Sequence, residues 1–205
     1  MSGNRRRLTP ADRRARIVSA GLEVFADAGY DRASMRAVAR AAGITTPVLY
    51  DHFASKADLY AALVDATADD LISRWERTGH EVEGTTEELF RQTIGTIFDW
   101  ISGNEAGWRM IFLDSPSDPA VAAAHRRRQD RATEVLAAQF ARVPALALSV
   151  DLPRERADGF LAEAAKWTVN AIAAWWWANR DLTRDQIVEL TADLLWRGLQ
   201  HVTKE

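Results

Sequence analysis

Three observations predict an all-α chain of about nine helices, three in an N-terminal helix-turn-helix head and the rest in a larger body. Apolar residues recur at i, i+3, i+4 and i+7 through most of the 205 residues. Breakers rich in Gly, Pro, Ser and Asp separate these stripes. Helix-start signatures stand where stripes begin: Thr9-Pro10 with Asp12, Ser34, Ser55 with Asp58, and Leu182-Thr183 with Gln186.

In the first helix, Thr9 caps, Pro10 takes the first position, and Ile17, Gly21, Val24, Phe25 and Ala28 form one apolar face before Gly29-Tyr30 ends it. Ser34 then caps a short helix with Met35, Val38, Ala39 and Ala42 on one face, stopped by Gly43, which tolerates positive φ. The next helix is expected to begin at Pro47 with Thr46 as its cap, because the residue before proline is biased away from α geometry. Val48 and Leu49 face inward, leaving Tyr50 and His52 outward. Two short helices around a glycine turn, with an exposed edge on the second, form a helix-turn-helix pattern, whose second helix enters the DNA major groove.

Beyond the head, Ser55-Lys56-Ala57-Asp58 opens a helix reaching about residue 78, followed by a polar loop from Gly79 to Thr85. A helix from about Thr86 aligns Phe90, Ile94, Ile97, Phe98 and Ile101, and a short apolar one carries Trp108, Met110, Ile111, Phe112 and Leu113. After the breaker from Asp114 to Pro119, a helix from Ala120 to about Arg142 has a charged middle, His125 to Arg131, read as a solvated face. Val143 to Pro153 is either loop or short helix. Two helices follow, from Arg154 to about Asn179 and from Thr183 onward; Ile187, Leu190, Thr191, Leu194, Leu195, Gly198 and Leu199 carry the stripe of the last. The adjacent Trp175, Trp176 and Trp177 point about 100° apart on a helix, so they cannot all face one core.

The run from Gly43 to Leu63, GITTPVLYDHFASKADLYAAL, resembles the DNA-binding signature of the TetR family of transcriptional regulators. The resemblance spans roughly Thr9 to Leu63, with Leu49-Tyr50-x-His52-Phe53-x-x-Lys56 its most specific part. It implies a basic arm over 1–8, a DNA-binding domain over 9–55 and a ligand-binding and dimerisation domain over 56–205. It implies further that Thr45, Tyr50, His52 and Lys56 hold phosphates or base edges, and that Ser34 and Arg36 touch the DNA backbone. Thr46 and Pro47 stand where the family often reads bases; proline departs from the commoner pattern, and apolar contact with a thymine methyl replaces a hydrogen bond there. The last two helices become dimer helices, with Trp175, Trp176, Ile187, Leu194, Leu195, Gly198 and Leu199 at the interface.

Composition agrees. Net charge is −3, but residues 1–60 carry +4 and the remainder −7, a basic head on an acidic body. Arg5, Arg6 and Arg7 read either as a solubilising tail or as an arm that follows DNA. There is no cysteine, so disulfides, thiol nucleophiles and thiolate metal sites are excluded. The scattered His52, His80, His125 and His201 suggest no metal site. Catalytic motifs and cofactor loops are absent, so neither an enzyme nor a cofactor is expected. With no signal-peptide core and no uninterrupted apolar span, a soluble cytoplasmic protein without membrane contact is expected.

Together these readings describe a regulator that binds a palindromic duplex operator as a homodimer and is most often a repressor. Its release is expected from a small apolar or aromatic effector, with Phe98, Trp100, Trp108, Phe112 and Trp167 as candidate contacts. The alternatives are a nucleoid-type architectural protein and an all-α enzyme carrying a DNA-binding head.

Overall fold

The computed structural model describes residues 9–81, 85–142 and 150–199. Arg5 to Arg7, residues 143–149, His201 and the side chains of Trp75, His80 and Leu199 lie outside that description. Among the described residues the fold is all-α, with nine helices: α1 (Pro10–Arg32), α2 (Met35–Ala41), α3 (Thr46–Tyr50), α4 (Lys56–Glu81), α5 (Thr86–Gly103), α6 (Glu105–Phe112), α7 (Pro119–Phe140), α8 (Arg154–Ala178) and α9 (Arg184–Leu199). The chain forms two compact units. One joins the residues up to Thr67 with Ala106–Arg126; the other joins Ala68–Glu105 with the residues from Arg127 onward. The units part inside α4, eleven residues beyond its first residue, Lys56.

Helix starts follow local chemistry. Thr9 and Asp12 satisfy each other's backbone N–H groups at the start of α1, as Thr85 and Glu88 do for α5 and Thr183 and Gln186 for α9. Gly79, expected to open a loop, lies within α4, which continues through Glu81. A single glycine weakens a helix by only about 1 kcal/mol, which an otherwise continuous helix absorbs.

In the first unit, α1 does not end at Gly29-Tyr30 as expected: Gly29 takes φ +72 and kinks the helix, and a further turn follows, closed by the Ala33 N–H on the Gly29 carbonyl. Phe25, Tyr30 and Tyr60 form a buried cluster, with Tyr60 edge-on to both other rings at 5.2 and 5.0 Å. Such ring pairs add about 0.5–1.5 kcal/mol beyond the area they bury.

In the second unit α9 lies along α5, held by two arginines. Arg91 of α5 binds the carboxylates of Glu189 and Asp193, and Arg184 of α9 binds Asp99 and the Gly95 carbonyl. Trp176 is buried, edge-on to Phe98 at 5.8 Å, with its indole N–H donating to the Leu182 carbonyl at 2.9 Å. The Lys166 ammonium is buried between α7 and α8, where it donates to Glu163 at 2.8 Å and to the Thr133 hydroxyl at 2.6 Å.

Burial pushes the Glu163 carboxyl up, but hydrogen bonds from Lys166, Thr133 and Trp167 outweigh it and hold it below its usual 4.5. A depressed carboxylate contributes stability above its unfolded pKa and loses it as pH falls through the folded one. In urea unfolding, the midpoint gap between wild type and Glu163→Gln is therefore expected to be full at pH 7 and to shrink as pH drops below about 4.5. A gap independent of pH would remove this role for Glu163.

Candidate nucleic-acid interface

Ser34 opens α2 by accepting the Ala37 N–H on its hydroxyl at 3.2 Å. The helix ends in paired bonds from Ile44 N–H to Ala39 and from Gly43 N–H to Arg40, with Gly43 at φ +67 and open space around it. This turn sets the angle between α2 and α3.

The cap of α3 is Thr45, not Thr46. Thr45 has extended backbone, its carbonyl takes the Leu49 N–H at 3.1 Å, and Pro47 sits one position deeper than predicted. No N–H in a helix's first turn has an intrahelical partner, so proline costs no hydrogen bond at the second position either. Leu49 is buried beneath α3 and Val48 half-buried. On the other side Thr45 and Pro47 are exposed, Thr46 and His52 half-buried, and Tyr50 is 50% exposed. An aromatic ring half in water on a five-residue helix has no packing reason to be there.

Arg36 and Arg40 are both exposed on α2, the helix that precedes this edge. Arg14 of α1 lies over the ring of the buried Phe53 at 5.0 Å. A reading confined to the turn passes over Arg14 and Arg40; the available signal was the density of arginine along the first two helices. Lys56 sits differently from the other candidates. Its ammonium donates to the carbonyls of Tyr30 at 2.9 Å and Ala33 at 3.1 Å and lies 4.3 Å from the Tyr30 ring centre. In this conformation it closes the carbonyl end of α1, as cations do at helix C-termini.

Chemically, the edge offers hydroxyls, a proline ring, a phenol and an imidazole, and α2 adds two exposed arginines. Arginines suit phosphate oxygens, and short polar and apolar groups on one helix suit base edges in a groove. The body candidates are divided between the two units. Phe98 and Trp100 are buried in the second unit, Trp100 donating its indole N–H to Asp70 at 2.7 Å. Trp108 is buried and Phe112 half-buried in the first unit. Trp167 is exposed on α8 and donates to Glu163. Of the interface candidates, Trp176 and Ile187 are buried within the protomer, Leu195 is half-buried, and Trp175, Leu194 and Gly198 are exposed.

Residues 17–63 match the bacterial regulatory proteins of the tetR family. Along nearly its whole length the chain is similar to the HTH-type transcriptional activator FasR of Mycolicibacterium smegmatis, with 33% identity over 205 residues, 98% of this chain and 90% of that one. The chain belongs to the TetR family. Solved TetR-like structures share its fold. A TetR-like transcriptional regulator from Rhodococcus sp. RHA1 has a TM-score of 0.75 at 23% identity, covering 95% of this chain and 99% of that one. The transcriptional regulator FadR of Bacillus subtilis, solved with stearoyl-CoA, has a TM-score of 0.69 at 18% identity, covering 92% and 99%. The protein is thus a DNA-binding transcriptional regulator of TetR type, and its relatives are regulators, not enzymes. Among the described residues no helix is long and apolar enough to cross a membrane.

Proposed function

We propose that this TetR-family regulator reads a palindromic operator as a homodimer and changes its hold on that operator when the body binds a largely apolar effector. Residues 9–55 form the reading head, and residues 56–205 serve the effector and the dimer. The edge of α3 carries the reading. Thr45, Thr46, Pro47 and Tyr50 supply base-edge contacts, Ser34, Arg36 and His52 supply backbone contacts, and Lys56 supports the head from behind.

Dimerisation is supported by an apolar face that the protomer leaves in water. On α8 the exposed positions Phe160, Ala164, Trp167, Ala171 and Trp175 fall at steps of three and four, with Phe160 67% and Trp175 52% exposed. On α9, the exposed Leu190, Leu194 and Gly198 fall at steps of four. Stripes at this spacing on adjacent helices suit a four-helix bundle with a second copy. A two-fold dimer sets its heads one helical turn apart, roughly 34–36 Å, or a multiple of it, and so requires a palindrome. For the effector, long-chain acyl thioesters are the first class to try, because the related fold of FadR was solved holding stearoyl-CoA.

The test is selection of bound sequences from random duplex DNA, run in parallel with Tyr50→Ala. Wild type is expected to enrich a palindrome that the variant does not, with the variant's affinity for it at least about 10-fold lower, the loss of one well-placed contact. Equal binding to all sequences at fixed salt would instead favour an architectural protein.

A further inference from the structure

Four elements of the first unit meet at one buried hydroxyl. The Tyr60 Oη of α4 lies 2.9 Å from His125 Nδ1 of α7 and 3.0 Å from Asp114 Oδ2 in the elbow between α6 and α7. The same Asp114 oxygen accepts the Tyr30 N–H at 3.0 Å, just past the Gly29 kink of α1, and Asp114 Oδ1 accepts the Ser115 N–H. His125 Nε2 is 2.6 Å from the Ile111 carbonyl at the end of α6. Beside this chain, the Asp31 carboxylate accepts the N–H and hydroxyl of Ser117, a second bond from the elbow to the end of α1. His125 was expected on a solvated face; its neighbours Arg126, Arg127 and Arg128 are exposed, but the imidazole turns inward and is buried.

Elementary chemistry fixes the donors of this chain. A carbonyl only accepts, so the proton on Nε2 belongs to the bond with Ile111. Burial, then the charge of Asp114, push the Tyr60 phenol well above its usual value, so it keeps its one proton. That hydroxyl stands within hydrogen-bond reach of three groups: His125 Nδ1 at 2.9 Å, the Asp114 carboxylate at 3.0 Å and the Met110 carbonyl at 3.4 Å. The other charged or titratable groups around the cluster are Tyr30 and Asp31 from α1, Lys56 from α4 and Asp118 from the elbow.

We propose that Tyr60, Asp114 and His125 are positioning residues for DNA reading: a buried hydrogen-bond chain that ties the α6–α7 elbow to the end of α1 and so sets the α2–α3 pair. This rests on the regulator reading above. None of the three needs to touch DNA.

Tyr60→Phe removes one oxygen and leaves the ring packed. By amide hydrogen exchange on the full chain, it is expected to speed exchange at Tyr30 and through α2 and α3 about 10-fold, the scale of one buried hydrogen bond, while α5 and α9 stay unchanged. No change, or an equal rise throughout the chain, would overturn the proposal, since the latter is plain loss of stability. The operator enriched by wild type should bind Tyr60→Phe about 10-fold more weakly than wild type. If wild type enriches no duplex, the regulator reading fails by itself, and amide exchange still decides whether the tie exists.

Discussion

Trp175→Glu combined with Leu194→Arg is expected to give a folded monomer that has lost operator binding. Both side chains stand largely in water in the protomer, at 52% and 61% exposure, so the substitutions remove little intramolecular packing. In a dimer seam each charge would be buried twice, once per copy, without a designed partner, at a cost of several kcal/mol per ion. The operator effect is larger than the loss of either residue's contacts. A dimer binds its second half-site from a high effective concentration, worth about 10²- to 10⁴-fold in affinity, and a monomer forfeits it. Sedimentation equilibrium at micromolar protein, paired with titration of the selected operator at fixed salt, reads both quantities. A double variant that still sediments as a dimer would show that the α8–α9 face is not the seam. Single half-site duplexes should bind the variant and wild type alike, which separates loss of avidity from damage to the head.

The second large effect is on stability. Trp100→Ala is expected to lower unfolding stability by about 3–5 kcal/mol, against about 5–15 kcal/mol for a typical domain. The indole is almost wholly buried in α5, and its N–H donates to the Asp70 carboxylate at 2.7 Å. Trp100→Phe divides the effect, since it keeps most of the apolar area and removes only the donor. Asp70 retains an ion pair with Arg74 at 3.1 Å, so the carboxylate is not stranded and the phenylalanine cost should stay near about 1 kcal/mol. Urea midpoints with unchanged m-values would report these differences. A tolerated alanine would mean that the surrounding helices close over the gap.

What the sequence shows well is what neighbours along the chain decide. The Thr9, Ser34 and Thr183 starts and the Gly43 stop all rest on groups within five residues of one another, so residue type and spacing suffice to find them. The edge of α3 was legible for the same reason, with the cap displaced by one residue because proline suits either of the first two helical positions. Gly29, expected to end the first helix, is only a kink, because a further turn closes on its carbonyl. Partners far along the chain were not legible. Lys56 reaches back to carbonyls of residues 30 and 33, and His125 reaches to Tyr60, 65 residues away. An imidazole among arginines looks solvated until the elbow folds over it. Trp176 illustrates the limit most simply. Three adjacent indoles must diverge, but which one turns inward depends on Phe98 and the Leu182 carbonyl, and no local pattern names them.

The pair of arginines between α5 and α9 bears on how such a protein can change over generations. Arg91 and Arg184 grip at two places, one along the carboxylates of α9 and one on the backbone of α5 at Gly95, where an added Cβ would come within 3.2 Å of the Arg184 guanidinium. Two helices stapled twice travel as one plank. If α5 lines the effector site and α9 the seam, as proposed, mutations that reshape α5 are inherited together with a new position for Leu190 and Leu194 on α9. In a lineage drifting toward a different effector, partner compatibility would drift with it, so two gene copies that diverged in what they sense would also tend to stop pairing with each other.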